Sequence, residues 1–189
     1  IYCGYCDSVC HSEFSACYWD GLTLPTPEQY RSFFSKNLWG LPGNYLCYQP
    51  AQRSLLGMAL LHRESYWMKT YGNNSAFDEE NYAPLRKLWG ILDEFGVNEA
   101  QWRGYYDDTP ELAVTGGNCL RSFWSKTDRT LVVVANVGNT EPATVTLSAP
   151  DFQRAVDRWR GDRQLEPVEG GYRFQLAPRE FTLIELQRQ

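Results

Sequence analysis

The sequence predicts a chain of two classes joined end to end, α/β followed by all-β, and three observations carry that prediction. Up to about residue 104, short apolar runs alternate with helical patterns, as in βα units. From Glu111 onward, apolar and polar residues alternate along short segments separated by turn residues, as in antiparallel sheets. The pattern changes once, between 104 and 111, which sets expected domains at 1–104 and 111–189.

In the first part, Ile1–Cys6 and Phe14–Trp19 read as short buried strands, the second running into Asp20 and Gly21. Thr26-Pro27-Glu28-Gln29 supplies an N-cap, a proline at the first helical position and a glutamine at N3, a capping box that opens a helix to about Leu38. Asn44–Tyr48 reads as a strand. Ser54–Leu61 is apolar throughout, and periodicity does not separate strand from buried helix there. After a polar loop at Tyr71–Ala76, Leu85, Leu88, Trp89, Leu92 and Phe95 share one helical face, with Pro84 starting the helix and Gly96 ending it.

In the second part the expected strands are Glu111–Thr115, Leu120–Ser125, Thr130–Val137, Ala143–Ser148, Arg154–Arg158, Tyr172–Leu176 and Phe181–Leu186. The segments 126–129, 138–141 and 169–171 have the composition of hairpin turns. Thr144, Thr146, Arg173 and Gln175 should face water, and Val145, Leu147, Tyr172 and Phe174 should face inward.

A formal net charge of -5 speaks against nucleic acid as a partner, since phosphates are held by clustered Lys and Arg. No apolar run approaches the ~20 residues that span a bilayer, so no membrane partner is expected. Ile1 is followed at once by aromatic and cysteine residues, so the chain reads as if entered mid-domain. Four of the six cysteines, Cys3, Cys6, Cys10 and Cys17, lie close together, but only one tight pair exists where a zinc or iron-sulfur site needs two. Free buried thiols are the default, a disulfide stays open, and neither a metal nor another cofactor is expected. Aromatic residues make up 15% of the chain, with seven tryptophans, and such rings stack on the C–H faces of sugars as readily as they fill a core.

Between Asp78 and Leu186 five passages follow one another: residues 84–96 (PLRKLWGILDEFG), 100–106 (AQWRGYY), Ser122-Phe123-Trp124, Leu131–Asn136 and the closing Phe181–Leu186. In this order they resemble the C-terminal region of glycoside-hydrolase-like (β/α)8-barrel proteins, distantly similar to β-N-acetylgalactosaminidase and α-galactosidase type barrels. The resemblance implies a partial TIM barrel, its last βα units, followed by a C-terminal antiparallel β-sandwich. It further implies a glycosidase acting on oligo- or polysaccharides, a carbohydrate substrate, and an extracellular or periplasmic location. The main catalytic residues are then expected upstream of this chain, and the isolated chain is expected to be inactive. A non-catalytic carbohydrate-binding protein is the alternative, in which Trp102, Trp124 and Trp159 would align on one exposed face. Neither reading fixes an oligomeric state.

Glycosidic hydrolysis normally uses two carboxyl groups, or one beside a participating N-acetyl group, and a barrel holds them at the C-terminal ends of strands. Asp20 would occupy such a position if Phe14–Trp19 is a strand, with Tyr18 and Trp19 as a stacking wall; capping the loop before Thr26 is its other possible role. The matching strand of the family continues with a second acid where this chain has Leu22. Asp7 follows the first expected strand by the same logic. His11 is a candidate partner for sugar hydroxyls. His62 and Arg63, after Met58–Leu61, are placed at the next strand's mouth, where an arginine would suit a hydroxyl or carboxylate.

Overall fold

The structure, a computed structural model, describes residues 9–11, 26–28, 31, 43–47, 53–68, 79–138 and 140–188. Three short strands, β1 (Val9–His11), β2 (Gly43–Cys47) and β3 (Ser65–Met68), form a parallel sheet in the order β1-β2-β3. Helix α1 (Arg53–Leu61) connects β2 to β3. The apolar stretch with ambiguous periodicity is therefore helical, because parallel neighbours need a crossover, and Leu56 to Leu61 are all buried, so no polar face marks its turns. Pro27, Glu28 and Arg31 are helical, as the capping box requires.

Helix α2 (Glu79–Phe95) starts before the expected position and carries Pro84 inside it. Only the hydrogen bond from residue 84 back to residue 80 is lost, near the start of the helix. The helix stops as anticipated: Gly96 takes φ +74, and its N–H donates to the carbonyls of Leu92 (2.9 Å) and Asp93 (3.0 Å). The buried face is Leu85, Leu88, Ile91 and Phe95; Trp89, assigned to that face from the sequence, is 45% exposed. At about 100° per residue Trp89 falls on the flank of the stripe centred near Leu88 and Phe95, and Ile91 completes it instead.

From Gln101 onward the strands form two antiparallel sheets. One has six strands in the order β10-β9-β13-β7-β6-β4, built from β4 (Gln101–Arg103), β6 (Cys119–Ser125), β7 (Arg129–Asn136), β9 (Arg154–Asp157), β10 (Arg163–Gln164) and β13 (Phe181–Gln187). The other has four in the order β11-β12-β8-β5, from β5 (Ala113–Thr115), β8 (Ala143–Ser148), β11 (Glu166–Val168) and β12 (Gly171–Leu176). Val145, Leu147, Tyr172 and Phe174 are buried, as alternation assigns them; of the residues assigned outward, Thr144, Arg173 and Gln175 are exposed and Thr146 is half-buried.

Turns 126–129 and 169–170 close hairpins, β6 to β7 and β11 to β12. The segment 138–141, expected to do the same, instead takes the chain from one sheet to the other. The reason lies in β7, whose two edges are already paired with β6 and β13, leaving none for β8. A second crossing, from β5 to β6, uses Gly116 at φ +107, where a Cβ would come within 2.0 Å of the Thr144 carbonyl oxygen.

Two apolar cores share the six-stranded sheet. Val132, Val134, Ile184 and Leu186 point toward the four-stranded sheet and meet Val145, Leu147, Phe174 and Leu176. Leu131, Val133, Phe181 and Leu183 point the other way and meet Leu56–Leu61 of α1 together with the buried face of α2. The unbroken apolar run Leu131–Ala135 follows from this placement: a central strand covered on both faces has no solvent side on which to alternate.

Candidate functional site

The parallel sheet places its strand ends in register. His11 closes β1 opposite Tyr45, and Cys47 pairs with Met68 at the ends of β2 and β3. Loops leaving this edge are where a sheet of this kind gathers functional side chains. Of the residues anticipated there, the backbone of His11 lies at the edge, whereas Asp7, Tyr18, Trp19 and Asp20 lie outside the described residues.

His62 and Arg63 are elsewhere. Because Met58–Leu61 is helical, they occupy the turn from α1 into β3, at the N-terminal end of that strand and not at a strand's C-terminal mouth. The His62 ring is 2% exposed. Its Nδ1 donates to the Met58 carbonyl (2.8 Å), and the Tyr105 hydroxyl lies 3.3 Å from Nε2, the two rings meeting edge to face at 5.3 Å. Burial pulls the His62 pKa down to about 4, outweighing the backbone carbonyls of Met58 and Pro27 and the carboxylate of Glu28, which favour the charged ring. Burial likewise pushes the Tyr105 phenol up to about 12. Neither group changes charge near neutral pH, so the pair is suited to holding α1 against the segment after β4, and not to proton transfer.

A depressed histidine pKa has a stability consequence of fixed sign. The unfolded chain takes up a proton near pH 6.5 and the folded chain only near 4, so the stabilisation present above pH 6.5 drains away as the pH falls to about 4. The expected loss is about 3 kcal/mol. Asp157, whose carboxyl burial pushes upward, acts in the opposite sense above its unfolded pKa. Urea denaturation of the parent and a His62→Gln variant at pH 7.0 and 4.5 separates the two: the variant should lose less stability over this interval than the parent.

A polar seam beside this pair was not anticipated from the sequence. Ser122 Oγ donates to the Leu61 carbonyl (2.8 Å) and accepts from the Tyr105 N–H (2.9 Å), tying α1, β6 and the post-β4 segment together. Arg121 reaches the other way and donates to the carbonyls of Thr109 (2.9 Å) and Leu112 and to the Thr109 hydroxyl. Asp107 completes the segment by accepting the Gly104 N–H (2.8 Å). The only hint in the sequence is an arginine and a serine inside an otherwise apolar strand.

The three tryptophans that an exposed sugar platform would require are packed between the helices and the six-stranded sheet. Trp124 is 3% exposed, Trp102 lies 4.7 Å from it, and Trp159 lies 4.8 Å from the buried Phe181 ring. The Cys119 thiol is free, its pKa pushed up to about 11 by burial. Among the described residues no three His, Cys, Asp or Glu side chains converge in metal-binding geometry, and no helix is long and apolar enough to cross a membrane.

No protein-family model and no curated protein matches the sequence. Solved structures do. A noncanonic maltogenic alpha-amylase from Thermotoga neapolitana aligns with 82% of this chain and 44% of its own, at a TM-score of 0.51 and 11% identity. A putative alpha-N-acetylgalactosaminidase from Bacillus halodurans aligns with 74% of this chain and 33% of its own, at a TM-score of 0.50 and 13% identity. The chain thus spans less than half the length of either. At such identities the likeness is one of architecture, and the architecture of this chain is glycoside-hydrolase-like.

Proposed function

We propose that this chain is part of a glycoside hydrolase that cuts oligo- or polysaccharides, with 1–104 as the last βα units of a (β/α)8 barrel and 111–189 as an appended antiparallel β-sandwich, the end of the first part, β4, reaching across to pair with β6 of the second. The observation that supports this most is the combination, in one chain, of a parallel sheet crossed by a helix and two antiparallel sheets behind it, in an arrangement similar to parts of two glycosidases. On this reading the C-terminal edge of β1-β2-β3 contributes to the barrel mouth. His11, Tyr18, Trp19, Asp7 and Asp20 belong near that edge, and further catalytic residues belong to a longer protein. Such an enzyme would work outside the cytoplasm, in the extracellular medium or periplasm, where polysaccharides are met. The non-catalytic binding alternative is weaker, because the tryptophans it depends on are packed against the core.

The test is an immunoblot of native material with an antibody raised against residues 111–189, followed by assay of the product on chromogenic glycosides. The expected product is several times larger than 21.8 kDa and active, while the 189-residue chain alone is inactive. A native product near 21.8 kDa would sink the proposal.

A further inference from the structure

Where the core between the two antiparallel sheets reaches its open side, the chain leaves a cleft of about 390 Å³ between β9–β10 and β11–β12. Its floor is built and held. Asp157, 1% exposed, accepts from the Thr182 hydroxyl (2.5 Å) and the Arg160 N–H (2.9 Å). The Arg160 guanidinium donates to the Gln175 carbonyl (2.8 Å) and pairs with Glu180 (2.8 Å), so its charge is already matched. The mouth is different. Arg163 on β10 and Arg173 on β12 both line the cleft and are exposed. Among the described residues neither makes an ion pair or side-chain hydrogen bond, although Glu166 is the cross-strand neighbour of Arg173.

Two unmatched guanidiniums facing one cavity, on a chain whose net charge is -5, form a local site for an anion. The remaining lining narrows the choice. Thr144, Gln164, Gln175 and Glu166 offer a hydroxyl, amides and a carboxylate, which suit a ligand with several hydroxyl groups better than a bare anion. Phe174 and Leu165 border the cleft but are only 7% exposed, since both pack in the core between the sheets, so the free lining is polar. The volume falls within the range of ~300–1,000 Å³ usual for small-molecule sites and exceeds what an inorganic ion fills.

We propose that this cleft binds a carboxylate-bearing sugar, a uronic acid residue, with Arg163 and Arg173 on the carboxylate and the amides and Glu166 on the hydroxyls. The inference does not depend on whether this chain is part of a glycoside hydrolase, because binding here is read directly on the described sheets. The experiment titrates the 189-residue chain with a glucuronic-acid-containing disaccharide, a neutral disaccharide of the same ring size, sodium acetate and sodium sulfate, following the arginine Nε–H signals by NMR. The expected result is movement of the Arg163 and Arg173 signals, with the uronate disaccharide binding at least about tenfold tighter than each of the other three. An Arg163→Gln/Arg173→Gln double variant should lose about tenfold or more of that affinity. Both side chains are exposed, so the variant's melting curve should match the parent's. Acetate or sulfate binding as tightly as the uronate would reduce the site to a bare anion site and overturn the proposal. So would equal binding of the neutral sugar, no binding at all, or full affinity in the double variant.

Discussion

Replacing Phe181 with alanine is expected to destabilise the protein by about 3–5 kcal/mol, read as a lower urea midpoint with an unchanged slope. The ring is 1% exposed at the start of β13, beneath α1 and 4.8 Å from Trp159. Helix α1 approaches it closely: a Cβ on Gly57 would stand 2.8 Å from the Phe181 Cβ. The helix has no side chain at that point to fill the space left by the ring, and the sheet below it is held by pairing with β7 and β9 on either side. A cavity between two such layers closes poorly, so the cost should lie at the upper end for a large-to-small change. A loss below about 1 kcal/mol would mean that α1 does not sit on the sheet as described.

Replacing Arg121 with methionine is expected to cost about 3–4 kcal/mol and to expose the segment 104–112 to proteases. Methionine keeps most of the unbranched stem but removes every donor. The Leu112 carbonyl then loses its guanidinium partner, and the Thr109 carbonyl keeps only the longer bond from the Leu112 N–H (3.3 Å), in a half-buried setting where water replaces the guanidinium incompletely. Arg121→Lys should recover only a small part, because one ammonium cannot reproduce the planar fork that serves two carbonyls and a hydroxyl together. The check is urea denaturation of both variants beside limited proteolysis. Wild-type resistance to proteolysis in the methionine variant would remove Arg121 from this role.

Elements with a one-sided environment were legible in the sequence. β8 spans Ala143–Ser148 as read from strict alternation, and α2 ends at Gly96 because only a residue tolerant of positive φ closes a helix in that way. Elements set by neighbours were not. β4, β10 and β11 are two or three residues long and lie at sheet edges with few buried side chains, so no periodic apolar signal marks them. Misplacing His62 followed directly from the ambiguity of Ser54–Leu61: once that run is a helix, everything after it moves to the other end of a strand. The cleft near Arg160 was illegible for a further reason. Its lining comes from five separate stretches between Thr144 and Gln175, and whether Arg163 and Arg173 are matched by a carboxylate is decided only by tertiary packing.

The sheet that serves two cores makes the halves of this chain inseparable in practice. A nick between 104 and 112 would leave two polypeptides still joined by strand β4 pairing to β6 and by α1 and α2 lying on β7 and β13. A chain trimmed to begin at residue 111 would present Leu131, Val133, Ala135, Phe181 and Leu183 to water as one continuous patch, the kind of surface through which identical molecules adhere. Any search for a minimal soluble unit should therefore keep both helices, and the place where the sequence changes its pattern is the wrong place to cut.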